Sequence, residues 1–306
     1  MRVLVTGGTG YLGSAIVRAL TRAGHEPVVF ARSAAGPGAI AGDIRDTRAV
    51  TAAAAGVDAI VHTAALVAVW QKDASAFDAI NVGGLQSVLA AARAHRVSRI
   101  VYTSSFLALP PADRPQALTA NHYQRTKVAA RDVARRAAAD GLPVVTLYPG
   151  VIYGPGPATD GNLVRRLMQD QLRGRLPGVI GPERTWSFAF VDDVADAHAA
   201  AVAHPKPERE YAIGGVNAPH GSIYAFVRER RGRAIPLRIP YALATASAVA
   251  CEAWTALTGR PPLLTRGVVD IFRHDWPLES SAASRDLGLR ITPLTDGLER
   301  ALAALP

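Results

Sequence analysis

Val3-Leu4-Val5-Thr6-Gly7-Gly8-Thr9-Gly10-Tyr11-Leu12-Gly13 is the stretch that decides the fold of this chain. Residues 2–6 form a short apolar run of strand character. After the glycines, Leu12, Ala15, Ile16, Ala19 and Leu20 recur at helical spacing until Gly24 closes the helix. A strand that turns through Gly7, Gly10 and Gly13 into a helix gathers free backbone N–H groups and the positive end of the helix dipole at one point. A pyrophosphate is stabilised there, and the glycines let it approach the backbone closely.

Outward from this turn, residues 27–31 read as a second strand, 39–42 as a weak third and 58–63 as a fourth. A long alanine-rich helix follows over 74–95, then a strand over 99–104, a helix over 122–140 and a strand over 143–148. Strands that alternate with returning helices predict an α/β fold, a doubly wound parallel sheet of the Rossmann kind. A dinucleotide-binding domain is expected over 1–155. Gly154-Pro155-Gly156-Pro157 breaks the pattern, and a helix near 162–173 and a strand near 185–191 follow. Residues 156–306 are expected to form mainly a smaller mixed α/β substrate lobe, with a return to the sheet at about 185–213.

Bulk properties exclude several classes. Of 306 residues, 49% are hydrophobic and 19% charged, which is ordinary globular usage. One cysteine, Cys251, excludes an internal disulfide framework and a cysteine-rich metal site, and no metal is expected. Met1-Arg2 runs straight into the first strand without a targeting peptide, so a cytoplasmic location is expected. Residues 239–257 are apolar, but Thr245, Ser247, Glu252 and Thr255 interrupt them; a buried or substrate-facing helix is expected rather than a membrane span. The net charge is +9, yet only Arg228-Glu229-Arg230-Arg231-Gly232-Arg233 forms a basic cluster. That cluster reads as the solvated end of a helix, and no nucleic-acid partner is expected.

Tyr123-Gln124-Arg125-Thr126-Lys127 places a phenol and an ammonium at i and i+4, on one helix face. With eight tyrosines and the three lysines Lys72, Lys127 and Lys206 in the chain, chance supplies about 0.1 such pairs. Hydride exchange at a carbinol carbon requires a proton to move at its oxygen. A phenol of pKa about 10 is a poor base at neutral pH, unless a neighbouring ammonium and a positively charged nicotinamide stabilise the phenolate. Tyr102-Thr103-Ser104-Ser105 ends a strand at the carboxyl edge, where a hydroxyl can hydrogen-bond a substrate oxygen; Ser105, just past the strand, is the candidate. At the end of the second strand, Phe30-Ala31-Arg32-Ser33 has no acid to hold a ribose. Arg32 favours NADP(H), although stacking of Arg32 on adenine leaves NAD(H) open.

These motifs resemble the extended short-chain dehydrogenase/reductases, which are NAD-dependent epimerase/dehydratase-like. The resemblance extends over Tyr148-Pro149-Gly150-Val151-Ile152-Tyr153-Gly154-Pro155-Gly156, Ile80-Asn81-Val82-Gly83-Gly84 and Phe190-Val191-Asp192-Asp193-Val194-Ala195, nearly the whole chain. It implies Tyr123 as general acid/base, Lys127 as the ribose-binding and tuning group, and Ser105 as the substrate-orienting hydroxyl. It implies that Thr9, Tyr11 and Leu12 join Gly7, Gly10 and Gly13 at the dinucleotide, with Asp43 at the adenine amino group beside Ile44. Ala64 and Ala65 would floor the adenine side, Pro149 and Val151 would border the carboxamide, and Asn81 would brace the sheet.

Within that family, Gly161-Asn162-Leu163, Gly174-Arg175-Leu176-Pro177-Gly178 and Trp186-Ser187-Phe188 are similar to farnesol dehydrogenases. Pro261-Pro262-Leu263-Leu264-Thr265-Arg266 and Ser284-Arg285-Asp286-Leu287-Gly288 resemble dihydroflavonol reductases and 3β-hydroxysteroid dehydrogenases. The implied activity is redox interconversion of a small apolar alcohol and its ketone or aldehyde. Leu66, Trp70, Trp186, Phe188, Phe226, Tyr241 and Trp254 are candidates either for an apolar pocket or for core. Arg165 or Arg184 paired with a nucleotide-sugar phosphate would instead make the chain an epimerase. A non-catalytic NADP-binding regulator is the third reading, opposed by the presence of both Tyr123 and Lys127. The stretch between Ser105 and Tyr123 is short and lacks the acidic loop of many relatives, which leaves the lid undefined. The resemblance also implies a homodimer through the helices over 74–95 and 122–140.

Overall fold

The computed structural model describes residues 1–157 and 159–305. The chain runs β1 (Arg2–Thr6), α1 (Tyr11–Arg22), β2 (Glu26–Ala31), β3 (Ala39–Ala41), α2 (Thr47–Ala53) and β4 (Ala59–His62). It continues through α3 (Ser75–Phe77), a π-helical turn (Asp78–Gly83), α4 (Gly84–His95), β5 (Arg99–Thr103), α5 (His122–Ala139) and β6 (Val144–Pro149). Then come β7 (Val151–Tyr153), α6 (Leu163–Leu172), β8 (Val179–Ile180), β9 (Thr185–Phe190), α7 (Val191–Ala203) and β10 (Glu210–Ile213). The chain ends with β11 (Val216–Pro219), α8 (Ser222–Arg231), β12 (Arg238–Ile239), α9 (Tyr241–Thr258), α10 (Arg266–Ile271), α11 (Ser281–Leu287) and α12 (Leu294–Ala303).

Seven strands form one sheet in the order β10-β6-β5-β4-β1-β2-β3, and every pairing in it is parallel. This is the doubly wound Rossmann architecture. The sheet is covered on both faces, so every residue of β4 and β6 is buried instead of alternate ones. One face is closed by α1, α7 and α11 through Ile16, Leu20, Ala195, Ala199, Val202 and Leu287. The other is closed by α2, α4 and α5 through Val50, Val88, Ala92, Ala130 and Ala134. Each fully buried Val, Leu or Ile in these layers contributes about 1.5–3 kcal/mol. The chain moves outward from β1 through β2 to β3 and then returns to the other side of β1 as β4, and this change of direction opens a crevice at the carboxyl ends of β1 and β4.

After β9, α7 carries the chain back to the sheet, where β10 pairs with β6 at the edge. The Glu210 carboxylate accepts hydrogen bonds from Arg135 Nε at 2.7 Å, Arg135 Nη2 at 2.8 Å and Tyr148 Oη at 2.8 Å, tying this edge strand to α5. A second, three-stranded sheet sets β9 between β7, parallel, and β11, antiparallel. It carries a core of its own around Tyr153, Trp186, Phe188, Phe226 and Trp276.

Two elements depart from expectation. The helix expected over 74–95 is interrupted by the π turn, within which Asn81 is buried. Asn81 Oδ1 accepts from Leu66 N at 2.8 Å, and its Nδ2 donates to Leu66 O at 3.2 Å and Thr126 Oγ1 at 3.0 Å, so the wide turn clamps the loop after β4 to α5. The segment expected to be a buried or substrate-facing helix is α9, and it is neither buried nor turned inward. Only Ala244 and Ala248 are buried, against Ile180 and Val269; the helix packs through its small residues and turns its large apolar ones outward.

Candidate active site

The glycine turn is sterically built for close approach. Gly7 has φ +76°, and a β-carbon on it would lie 2.8 Å from Ala64 Cα. A β-carbon on Gly13 would lie 2.1 Å from the Gly7 carbonyl oxygen, so α1 must start without side chains at both points. Gly10 is the N-cap of α1 and no side chain caps that end, which leaves the first-turn N–H groups of Tyr11 and Leu12 to serve an anion. The turn therefore fits a dinucleotide pyrophosphate. Ala64 and Ala65 lie half-buried beside it, at the end of β4.

At the far end of the crevice Thr9 Oγ1 and Ser33 Oγ are 3.2 Å apart, and Arg32 is exposed. Asp43 is held by Arg45, which the sequence reading did not single out: Nε donates to Oδ1 at 3.0 Å and Nη2 to Oδ2 at 2.6 Å. Those hydrogen bonds hold the carboxyl down at about 2. Ile44 follows Asp43 in the turn after β3. Its side chain is buried in the core against Gly84, because the turn after β3 must cover the start of α4.

The catalytic candidates converge from β5 and α5. Asn121 caps α5, its Oδ1 accepting from Gln124 N at 2.8 Å. Gln124 is fully buried; its Oε1 accepts from Ala120 N at 3.0 Å and its Nε2 donates to Leu107 O at 3.2 Å, so the helix start is locked to the turn after Ser105. Ser105 itself caps the one-turn helix Phe106–Ala108, with Oγ accepting from Leu107 N at 3.2 Å. Asn121 and Gln124 were missed in the sequence, although an Asn directly before a helix is a recognisable start signal. Tyr123 is half-buried and Lys127 is buried, one turn apart. Lys127 Nζ donates to Thr103 O at 3.3 Å and lies 5.7 Å from the Tyr102 ring centre and 5.8 Å from that of Tyr123.

Burial pushes the Tyr123 hydroxyl up to about 12, with the Ser105 hydroxyl pulling the other way. Burial also pushes Lys127 down to about 8. In the protein alone, desolvation of the phenolate dominates; the acidic phenol expected from the sequence includes the positive charge of a bound nicotinamide. Beneath these groups lie two buried histidines that the sequence reading passed over. His62 Nδ1 is hydrogen-bonded to Thr6 Oγ1 at 2.7 Å and His198 Nε2 to Thr103 Oγ1 at 2.9 Å. Burial lowers them to about 3 and about 4, so both are neutral braces of the strand ends.

The stretch between Ser105 and Tyr123 is pinned across the site. Ala112 N donates to Asp275 O at 2.9 Å, and Asp113 faces His274 Nδ1 at 2.8 Å. Of the remaining candidates, Pro149 and Val151 are buried at the β6–β7 junction. Trp186, Phe188 and Phe226 fill the core, and Trp254 is 58% exposed. Arg184 is paired with Asp275 at 3.0 Å. Arg165 is buried, with Nη2 donating to Ala304 O at 2.8 Å; its Nε and Nη1 have no partner among the described residues.

The NAD dependent epimerase/dehydratase family matches residues 3–214. Over 215 residues the chain is 37% identical to a 2-alkyl-3-oxoalkanoate reductase of Stenotrophomonas maltophilia, covering 65% of this chain and 64% of that protein, just under two thirds of its length. Over 263 residues it is 30% identical to sterol demethylase protein B of Methylococcus capsulatus, covering 78% of each. The fold matches the crystal structure of the UDP-glucose 4-epimerase of Thermus thermophilus in complex with NAD at a TM-score of 0.75, with 23% identity and 99% and 98% of the two chains covered. The family match opens inside β1 and closes just past β10, taking in the whole parallel sheet. The chain therefore belongs to the NAD-dependent epimerase/dehydratase family, the extended short-chain dehydrogenase/reductases.

Proposed function

We propose that this protein is an NAD(P)(H)-dependent oxidoreductase that interconverts an apolar alcohol and its ketone or aldehyde. The observation that carries the reading is the meeting of Ser105, Tyr123 and Lys127 at the carboxyl edge of the sheet, beside the glycine turn. Gly7, Thr9, Gly10, Tyr11, Leu12 and Gly13 would hold the dinucleotide, with Ala64 and Ala65 at the adenine and Pro149 and Val151 near the nicotinamide. When bound, the dinucleotide exchanges hydride with the substrate carbon and, in its oxidised form, adds a positive charge beside the site. In the reducing direction Tyr123 Oη gives its proton to the carbonyl oxygen as the carbon is reduced. Ser105 Oγ hydrogen-bonds the same oxygen and stabilises the charge that develops on it. Lys127 stands behind the ring and favours the resulting phenolate; solvent returns the proton. Oxidation runs the same path backwards, with Tyr123 as base.

An apolar substrate is supported by the second core, against which Tyr123 packs from α5. It is also supported by the alkyl-oxoalkanoate and sterol in the names of the two relatives. NADP(H) is supported by Arg32, by the Thr9–Ser33 hydroxyl pair and by Asp43, whose charge is offset by Arg45. Nucleotide-sugar epimerisation is the second reading, favoured by the two free guanidinium nitrogens of buried Arg165. A panel of prenyl alcohols, sterols, cyclic ketones and nucleotide sugars, followed by reduced-cofactor absorbance at ~340 nm, separates them. Net absorbance change with apolar alcohols or ketones supports the redox reading. Conversion of a nucleotide sugar without net change overturns it.

A further inference from the structure

Twelve large hydrophobic residues are exposed in the described chain, and seven of them lie between Ile235 and Leu263. On α9, Leu243, Ala246, Ala250, Trp254 and Leu257 follow one another at intervals of three and four and all are exposed, so they form one continuous stripe. Leu257 is 83% exposed; Leu237, just before α9, is 81% exposed, and Leu263, just after it, is 97% exposed. Isolated exposed leucines need no explanation, but an apolar helical stripe with further exposed leucines in both flanking segments does.

The exposed charges beside the stripe that lack an ion-pair partner among the described residues are positive. Between Pro240 and Gly259 the only charged side chain is Glu252, and Arg266 neutralises it from Nε at 2.6 Å. At the end where α9 begins, the loop carrying exposed Arg173 and Arg175 runs beside the loop carrying exposed Arg231 and Arg233. Gln171 Nε2 donates to Ala234 O at 3.1 Å and Val179 N to Leu237 O at 2.9 Å across this seam. Exposed Arg260 stands at the other end of the helix. None of these five arginines is in an ion pair among the described residues. Two copies of the chain meeting through this face would bring like charges together, whereas an anionic surface satisfies stripe and arginines at once. No helix among the described residues is long and apolar enough to cross a membrane.

We propose that α9 and its flanking loops lie flat on an anionic phospholipid bilayer, with Leu237, Leu243, Trp254, Leu257 and Leu263 in the acyl boundary and the arginines at the headgroups. This docking rests on surface chemistry alone and is independent of the redox reading. The test is co-sedimentation of the full chain with vesicles of equal parts phosphatidylglycerol and phosphatidylcholine, against phosphatidylcholine alone. Partition is expected to be roughly tenfold stronger on the anionic vesicles. Leu257→Asp, and separately Arg231→Gln with Arg233→Gln, are each expected to weaken it roughly fivefold or more with unchanged circular dichroism. Quenching of tryptophan fluorescence by brominated lipid is expected to fall in Trp254→Phe, which reports on the stripe even if a charged variant fails to fold. Absence of binding to the anionic vesicles, equal binding to both vesicle types, or unchanged binding by the arginine variant overturns the proposal. So does a dimer on gel filtration that Leu257→Asp dissolves in the absence of vesicle binding, which assigns the face to a second copy.

Discussion

Lys127 Nζ lies 5.8 Å from the centre of the Tyr123 ring, and its one hydrogen bond among the described residues is a long one, 3.3 Å, to Thr103 O. The ammonium is buried at the proposed reaction centre with little to offset its desolvation, and it is held there at a cost to the fold. Burial lowers it from 10.5 to about 8, so in the window between these values the unfolded chain binds more protons than the folded one. Stability must therefore rise with pH across that window, and below about pH 8 the full cost, on the order of 3 kcal/mol, is present. Tyr123 acts in the opposite sense only above its ordinary value of 10.0. Lys127→Met is expected to be inactive yet to melt several degrees higher at pH 7, and to lose the rise in stability between about pH 8 and 10. Thermal unfolding at two pH values checks this; a lower midpoint at pH 7 would contradict it.

Tyr123→Phe removes one oxygen and no packing. Turnover is expected to fall by about 10²–10⁴-fold, the usual worth of a positioned acid or base, while cofactor affinity changes by less than about threefold. Steady-state kinetics with cofactor titration by fluorescence measures both. Retained turnover would remove Tyr123 as proton carrier.

Gly10 and Gly13 separate binding from folding. A β-carbon on Gly13 meets backbone at 2.1 Å, whereas on Gly10 the nearest atom is the Gly7 oxygen at 3.2 Å. Gly13→Ala is expected to lower stability by about 1–3 kcal/mol or more, through forced backbone movement. Gly10→Ala is expected to fold, but to bind dinucleotide at least about tenfold more weakly, because its methyl group stands at the capless start of α1. Chemical denaturation and cofactor titration of the two variants distinguish them.

How much of this was legible in the sequence depended on whether the signal was local. The glycine turn, the Tyr123–Lys127 spacing and the apolar strands are short-range patterns, and the structure places each at the crevice. The inward tilt of Ile44 and the π turn around Asn81 depend on partners that only the folded chain brings together, whereas the Arg45 grip on Asp43 is local, two residues along the chain, and was passed over. For α9 the composition was misleading: hydropathy separates apolar from polar residues but not the side of a helix that packs, and here the alanines pack while Leu243, Trp254 and Leu257 face out. For Tyr123 the spacing reveals the ammonium but not the burial that raises its hydroxyl in the protein alone.

Arg32 and Arg45 yield a prediction on cofactor choice. With Asp43 bound by Arg45 on both oxygens, the adenosine end of the crevice carries no free acid, and NADPH is expected to bind several-fold more tightly than NADH. Arg32→Asp is expected to reverse the order. Arg45→Ala, which frees the Asp43 carboxylate and lets its pKa return upward, is expected to weaken NADPH more than NADH. Equal dissociation constants in the wild type would contradict the assignment.

Asn81 is expected to act by positioning. It satisfies both backbone groups of Leu66 and donates to Thr126, whose Oγ1 in turn donates to Tyr123 O at 2.9 Å, so one amide joins the loop after β4 to the turn that carries the proton carrier. Asn81→Ala leaves the Leu66 N–H unpaired in a partly buried setting and is expected to cost about 1–3 kcal/mol. Asn81→Asp keeps the acceptor for Leu66 N but loses the two donated bonds, so it should retain more stability than the alanine variant while still displacing Tyr123. A drop in kcat at nearly constant KM in Asn81→Asp, measured beside its unfolding midpoint, is the expected signature. If stability falls while kcat is untouched, Asn81 braces the fold and does not set the position of Tyr123.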